Sequence, residues 1–268
     1  MSDDLHERFR RLHDDGLFVM PNPWDHGSAR LLASLGFPAL ATTSAGLAAA
    51  LGRTDQHVTR DELVASVAAL AASVDVPLSV DAEHGYPREP GGVTATVRLL
   101  ADAGAAGCSV EDYDPVTGRI DPLEVAAERV AEAAAAAAEH GLVLTARAEN
   151  HLYGVDDLDD TIARLCAYRD AGADVVYAPG LVDRDAIARV VSETGVPVNV
   201  LLRRGGPSVS ELAALGVRRV STGGALARAA YGALVAAARE LLDAGTSTYL
   251  DAALSDEQLA AAFEAPAG

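Results

Sequence analysis

The chain of 268 residues contains no lysine, so all 21 of its basic side chains are arginines. Schiff-base aldolases, pyridoxal phosphate enzymes and proteins with a Walker A loop all need a lysine, and the sequence excludes these three classes. The 21 bases stand against 39 acids, which gives a formal charge of −18. A chain this acidic offers no basic face to phosphates, and we therefore expect no nucleic-acid partner.

Cysteine is also scarce, since Cys108 and Cys166 are the only two. This number predicts neither a disulfide framework nor a zinc cluster and favours a reducing compartment. No apolar run approaches the roughly 20 residues that cross a bilayer. The acidic start, Met1–Asp4, lacks the apolar segment of a secretory signal. We expect a cytoplasmic protein without a membrane partner.

Half of the residues are hydrophobic, which is enough for a core and argues against disorder. Eight short apolar runs, each preceded by Gly or Pro, are typical of strands buried on both faces of a parallel sheet. The predicted strands are Leu17–Met20, Pro38–Thr42, Leu78–Asp81, Gly107–Glu111, Leu142–Arg147, Asp174–Ala178, Pro197–Leu201 and Arg218–Thr222.

Amphipathic, alanine-rich segments alternate with these strands, and capping-box patterns mark two helix starts, at Thr59 with Glu62 and at Ser208 with Glu211. Eight βα repeats predict an α/β fold of the (β/α)8 TIM-barrel type, as one domain over residues 1–268. An open doubly wound sheet is the alternative, but no G-x-G-x-x-G follows the first strand. Ser255–Phe263 predicts an additional C-terminal helix before an Ala-Pro-Ala-Gly tail.

Charged residues gather where three neighbouring predicted strands end, which is the active-site edge of a barrel. The three ends read Asp81-Ala82-Glu83, Glu111-Asp112 and Arg147-Ala148-Glu149. Acids this close together are costly unless a cation binds among them, and a divalent ion held by oxygens and waters is the natural candidate. Strand alternation further predicts that Asp81 and Glu83 point to one side.

Each of these features has a plainer interpretation. Any single acid at a strand end is often a helix cap, although three caps together are improbable. Arg147 fits a structural salt bridge or the carboxylate of a substrate. The segment Thr43–Gly46 fits an ordinary turn or a cradle for an anion.

Taken in order, the motifs resemble the isocitrate lyase/phosphoenolpyruvate mutase family from Phe18 to Tyr231. They are Asn22-Pro23, Thr43-Ser44-Ala45-Gly46, Leu51-Gly52-Arg53-Thr54-Asp55, Asp81-Ala82-Glu83-His84-Gly85-Tyr86, Val110-Glu111-Asp112 and Ala146-Arg147-Ala148-Glu149. The resemblance implies a barrel, a homotetramer built as a dimer of dimers with a helix exchanged between barrels, and Mg2+, with Mn2+ as a substitute. It also implies an enolate intermediate formed from a 2-oxo or 2-hydroxy acid.

The resemblance assigns roles residue by residue. Asp81 matches the principal metal ligand, and Glu83 replaces a second aspartate of the usual D-A-D-T-G-Y string. Asp55 and Glu111 match acids that hold metal-bound waters. Arg147 matches the arginine that grips the substrate. The segment Thr43, Ser44 and Ala45 matches the substrate-carboxylate site, where threonine replaces the family's serine.

Two family signatures are missing. The K-x-C-G-H loop of the isocitrate and 2-methylisocitrate lyases is absent, and so is the E-D-K opening of the mutase loop. In their place, the loop from Tyr113 to Asp121 has few apolar anchors, which favours a mobile lid. The plainer interpretation is a solvated connection in which Asp121 caps the next helix. Tyr113 would then be the proton donor and Arg119 a charge clamp, acting with Glu111 and Arg147 as the catalytic residues.

The sequence therefore predicts a Mg2+-dependent lyase that cleaves a carbon–carbon bond next to a 2-oxo or 2-hydroxy carboxylate. An oxaloacetate-type decarboxylase or hydrolase, and a phosphonopyruvate-type phosphorus–carbon bond enzyme, are alternatives that use the same enolate. A catalytically idle barrel that binds a small carboxylate or a protein is the alternative from another class. The acid cluster argues against it, because unused buried charge is destabilising.

Overall fold

The computed structural model of the protein describes residues 5–264. Eight parallel strands form one sheet in the order β1-β10-β9-β8-β7-β4-β3-β2. These strands are β1 Phe18–Met20, β2 Leu40–Ala41, β3 Leu78–Asp81, β4 Gly107–Glu111, β7 Val143–Arg147, β8 Val175–Tyr177, β9 Val198–Leu201 and β10 Arg219–Ser221. At the remaining seam, the Ala41 amide donates to the Pro21 carbonyl at 3.1 Å, so the sheet curls into a nearly closed barrel. Each strand lies within a run predicted from the sequence, and the TIM-barrel prediction is confirmed.

Helices follow the strands around the outside of the barrel. They are α1 Leu5–Arg11, α2 His26–Ser34, α3 Ser44–Ala50, α4 Arg60–Ala71, α5 Gly92–Asp102, α6 Leu123–His140, α7 Leu158–Asp170, α8 Arg184–Thr194, α9 Val209–Ala214, α10 Ala225–Asp243 and α11 Asp256–Glu264. Both predicted capping boxes form, at Thr59 with Glu62 and at Ser208 with Glu211. The extra C-terminal helix is α11, whereas the predicted tail and the acidic start lie outside the described residues. Among the residues described, no helix is long and apolar enough to cross a membrane.

The amino-terminal end of the barrel is closed by α1. Phe9 is fully buried there, and a Cβ atom on Gly107 would lie 2.7 Å from its ring, so only glycine allows this approach. His13 packs edge-on against Phe9 and Phe18, with ring centroids 4.9 and 5.0 Å apart. A ligand can therefore enter the barrel only at the opposite end, where the carboxyl ends of the strands lie.

The loop after β4 is ordered differently from the prediction. It folds into a small hairpin of β5 Tyr113–Asp114 and β6 Arg119–Ile120. Two hydrogen bonds of 2.9 Å from Arg88 hold the Asp114 carboxylate. The sequence argument considered only apolar anchors and did not foresee this one, which is an ion pair to another loop. Asp121 does not cap α6 either; it pairs with Arg129.

Candidate active site

A cavity of about 260 Å3 opens at the carboxyl ends of the strands. The residues matched to substrate binding, Thr43–Ala45, Asp81 and Arg147, all line it, and so does Asp55. Glu83 and Glu111 are buried beside it, 2% and 3% exposed. A cavity of this size suits a small carboxylic acid.

Arg147, the last residue of β7, is the centre of the charged cluster. Its guanidinium contacts three carboxylates: Asp81 at 2.6 Å, Glu111 at 3.0 Å and Glu149 at 2.8 Å. The strand register explains the meeting, since Glu111 lies directly opposite Arg147 on the neighbouring strand. The structure thus places acids around this arginine, as the strand ends predicted.

The negative charge in the cluster exceeds the charge of this single arginine. Burial, with the charges of Asp81 and Asp55, raises the pKa of Glu83 to about 8. Burial also raises the pKa of Glu111 well above its usual value, and burial and Asp81 raise the pKa of Asp55. A bound cation would offset this cost, because it favours the ionised form of each nearby carboxylate.

Glu83 reaches the cluster by a route that the sequence argument did not foresee. The strand β3 ends at Asp81, and Glu83 has a left-handed backbone with φ of 50°. Alternation along an extended strand therefore does not apply to Glu83, and that reason for its position was wrong. A non-glycine residue in this conformation is strained, and such strain is concentrated at functional sites.

The first turn of α3 forms one wall of the cavity. The Thr43 side chain caps this helix by accepting a hydrogen bond from the Gly46 amide. The Ser44 amide donates to Asp81 at 3.1 Å, and the Ser44 hydroxyl bonds to Asp55. The segment thus forms an ordinary capped turn that also lines the cavity, and the anion cradle stays a prediction.

The oxygens of this site suit a hard divalent cation. Of the described residues, Glu83 Oε1, Glu149 Oε2 and Gln56 Oε1 are buried without a hydrogen-bond partner. Within the same range, no group of three His, Cys, Asp or Glu side chains could hold a metal ion by itself. Mg2+ usually keeps several waters and one or two carboxylates, so these residues fit an ion held by Asp81 and waters, with other acids on the waters.

The two proposed lid residues lie differently. The ring of Tyr113 stacks on Tyr153, with centroids 3.7 Å apart and planes 7° apart. Tyr153 lies close enough to the cluster that the charges of Glu111 and Glu149 contribute to the raised pKa of its hydroxyl. Arg119 is exposed on β6 and does not line the cavity. Neither Tyr113 nor Arg119 lines the cavity; Tyr113 is linked to the surroundings of the cluster through Tyr153, whereas Arg119 lies on the surface.

Three residues of the site were missed as functional candidates. Glu149 contacts Arg147, and Gln56 donates to Glu111 at 2.9 Å from a left-handed backbone. Asp112 accepts from the Glu149 amide at 2.8 Å and from the Tyr168 hydroxyl at 2.7 Å, and it thereby positions Glu149. Glu149 was readable from its place two residues after Arg147, whereas nothing in the sequence marked Gln56.

Comparison with known proteins agrees with this geometry. The family described as phosphoenolpyruvate phosphomutase matches residues 9–242. The chain belongs to this family. An uncharacterized protein of Mycobacterium tuberculosis is 37% identical over 88% of this chain and 89% of its own length. Oxaloacetate decarboxylase 2 of Pseudomonas fluorescens is 32% identical over 81% and 77%.

Solved structures of the phosphomutase family superpose closely. A putative lyase/mutase from Burkholderia cenocepacia has a TM-score of 0.93 and 50% identity over 98% of both chains. A 2,3-dimethylmalate lyase has a TM-score of 0.84 and 27% identity over 97% and 94%. A phosphonopyruvate hydrolase in complex with oxalate and Mg2+ has a TM-score of 0.85 and 25% identity over 97% and 95%. The superfamily consists of lyases and mutases, and this chain is an enzyme of that group.

Proposed function

We propose that the protein is a Mg2+-dependent lyase that cleaves a carbon–carbon bond next to a 2-oxo or 2-hydroxy carboxylate, through an enolate intermediate. The observation that carries the proposal is Arg147, which contacts Asp81, Glu111 and Glu149 at the wall of the cavity. The expected substrates are small carboxylic acids, which the cavity can enclose.

Arg147 can bind the substrate while it keeps its contacts with the three carboxylates. An arginine has five N–H donors, and the three carboxylate contacts use one on each nitrogen. Two donors remain for a carboxylate or an enolate oxygen, and they are held in place by fixed partners. Donors that are already oriented stabilise developing negative charge without reorganisation.

Asp81 would hold Mg2+ together with waters fixed by Asp55, Glu83 and Glu111. When bound, Mg2+ supplies positive charge beside the oxygens on which negative charge develops. The protein's own residues do the rest: Arg147 orients the substrate, and Tyr113, which is stacked on Tyr153, would approach it from the hairpin. The Tyr113 hydroxyl is the proposed proton donor, because the family's loop cysteine is absent.

An oxaloacetate-type decarboxylase or hydrolase is the second candidate. Relatives named oxaloacetate decarboxylase reach 35% identity, and an oxaloacetate acetylhydrolase in complex with oxalate has a TM-score of 0.86 at 26% identity. The same arginine and acids serve this reaction, because it too passes through an enolate. The reactions differ in the group that leaves and, for the hydrolase, in the water molecule that is added.

One substrate screen separates the two candidates. Purified protein with Mg2+ is incubated with oxaloacetate, other 2-oxo acids, and alkylated malates and citrates, and pyruvate, acetate, oxalate and carbon dioxide are measured. Pyruvate or another 2-oxo acid released from an alkylated malate or citrate supports the lyase. Carbon dioxide or acetate released from oxaloacetate alone supports the second candidate. No product from any of these acids would overturn both.

We also propose that the enzyme is a homo-oligomer, a dimer of dimers, in the cytoplasm. Of the 19 residues of α10, only Ala227 is buried, while Leu234, Leu241 and Leu242 are exposed. Apolar surface on one helix commonly marks an interface. Light scattering after size-exclusion chromatography tests the assembly. The location rests on the free cysteines Cys108 and Cys166, which suit a reducing compartment.

A further inference from the structure

The same cavity extends below Arg147 into the barrel. Its deeper lining contains the polar residues Ser79, Ser109, Asn199 and Arg219, while Met20 and Leu201 also line the cavity. The interior of a barrel of this kind is usually filled by layers of bulky branched side chains. Here the middle of the barrel instead contains part of the cavity, and the guanidinium of Arg219 lies there.

Arg219 is buried without a counter-ion. It is 3% exposed, and it donates to Asn199 Oδ1 at 3.0 Å, to Thr145 Oγ1 at 2.8 Å and to His13 Nε2 at 3.4 Å. All three acceptors are neutral groups. Among the residues that the structure describes, no carboxylate lies within 4.0 Å of this guanidinium. Burial lowers the pKa of Arg219 to about 10, and the side chain remains a cation at neutral pH.

A buried cation that lacks an anion is destabilising. Arg147 and Arg164 avoid that cost, because Arg147 has three carboxylates and Arg164 has Asp112 at 3.2 Å. Within the described part of the chain, Arg60 is buried without a carboxylate partner but lies away from the cavity, whereas Arg219 has no carboxylate partner and lines a cavity that an anion can enter. Its three named contacts leave two of its five N–H donors for a ligand.

The depth of Arg219 can be placed relative to Arg147. Its partner Thr145 precedes Arg147 by two residues on β7. Two residues of a strand correspond to about 6.6 Å. The two arginines therefore lie one above the other along the same cavity, about one side-chain layer apart.

We propose that Arg219 forms a second anion subsite inside the barrel, which binds the distal carboxylate of a substrate whose 2-oxo or 2-hydroxy end lies at Arg147. The proposal rests on the proposed function for its reacting end and adds the substrate class. The substrate is an elongated di- or tricarboxylic acid, with a carboxylate on a chain that enters the barrel between Ser79 and Asn199. An acid as short as oxalate fills only the upper position.

Binding of unreactive dicarboxylates of increasing length tests the subsite. Isothermal titration calorimetry in Mg2+ compares oxalate, succinate, glutarate and adipate on the unaltered protein and on R219Q. We expect one of the longer acids to bind about 10- to 100-fold more weakly to R219Q, the effect of one charge-assisted hydrogen-bond pair, while oxalate affinity stays unchanged. Equal losses for oxalate and for the longer acids, or no loss for any of them, would overturn the proposal.

Two further variants keep the test independent of folding. S79V leaves Arg219 and its partners intact but replaces the Ser79 hydroxyl with two methyl groups in the deep lining, and it should reproduce the selective loss for the longer acids. Arg60 is the matched control, because it is also buried and donates to the Pro90 carbonyl, away from the cavity. R60Q should bind all four acids as the unaltered protein does. If R219Q fails to fold, unchanged affinities in S79V overturn the subsite.

The subsite and the proposed reaction can be supported or rejected independently of each other. A length-dependent loss in R219Q with no turnover on any screened acid would support the subsite and reject the lyase. Turnover of an elongated di- or tricarboxylic acid with kcat/KM unchanged in R219Q would support the reaction and reject the subsite.

Discussion

Nη1 of Arg147 lies 2.6 Å from Oδ1 of Asp81, and the Ser44 amide donates to the other carboxylate oxygen at 3.1 Å. One carboxylate thus connects β7, β3 and the start of α3. Asp81 therefore fixes Arg147 and the wall of the cavity and, in the proposed function, holds the metal.

Asp81 should be the most sensitive acid of the site. We expect D81A to lower kcat/KM by roughly 1000-fold, because it removes an electrostatic group at the reacting centre. D55A should cost only about 10- to 100-fold, as is usual for a residue that acts through a water or a neighbour. Steady-state kinetics on the substrate from the screen measures both, with circular dichroism to check folding. Equal losses in the two variants would contradict the central place of Asp81.

Removal of metal should stop turnover and spare the fold. With a chelator in excess we expect activity to fall to background while the circular dichroism spectrum is unchanged, because the barrel core does not include the cluster. Added Mg2+ or Mn2+ should restore the rate. Full activity in a preparation shown by elemental analysis to be free of metal would reject the mechanism.

Thiol alkylation should leave activity intact. Cys108 is fully buried and burial raises the pKa of its thiol to about 12, so it stays protonated and unreactive. Cys166 lies on α7 and contacts the Glu193 carbonyl at 3.7 Å, away from the cavity. Iodoacetamide on the native enzyme should modify Cys166 at most, with turnover retained. Mass spectrometry identifies the labelled thiol, and inactivation by a label on Cys108 in folded protein would be inconsistent with this view.

The two hairpin residues Tyr113 and Arg119 should differ in their effect on turnover. Y113F keeps the ring stacked on Tyr153 and removes only the hydroxyl, so a loss of about 100-fold in kcat with little change in KM is expected if that hydroxyl is the proton donor. R119A should be near the unaltered rate, because Arg119 is exposed and outside the cavity. Normal turnover in Y113F would direct the search for the acid to His84.

His13 should make stability depend on pH. Its Nδ1 donates to the Phe9 carbonyl at 2.8 Å and its Nε2 accepts from Arg219, so the neutral ring is the one that fits. Burial and the charge of Arg219 lower its pKa to about 3, from 6.5. The unfolded chain therefore takes up a proton below pH 6.5 that the native protein refuses, and stability is lost as the pH falls from 6.5 toward 3.

From pH 7 to pH 5 this amounts to about 2 kcal/mol of unfolding free energy. H13N should reduce that pH dependence, and the exposed His26 provides the matched control, H26N, which should not. Denaturant unfolding at the two pH values measures the difference. The same slope in H13N as in the unaltered protein would show that His13 is not its source.

The sequence alone determined the barrel and the list of acids at its mouth. Strands buried on both faces leave continuous apolar runs, and glycine or proline marks their starts, so local signals were enough to find all eight. The three strand ends with Asp81, Glu111 and Arg147 followed, because parallel neighbours bring their carboxyl ends to one edge. Glu149 was within reach by the same logic.

What only the tertiary structure decided involves residues far apart in the chain. Arg88 anchors the hairpin through Asp114, and Gln56 reaches Glu111, by contacts that leave no trace in a local pattern. Arg219 looked like one more basic residue in a strand beside Arg218. Its register on β10 turns it into the barrel, where Thr145 and His13 hold its guanidinium and where it lines the cavity.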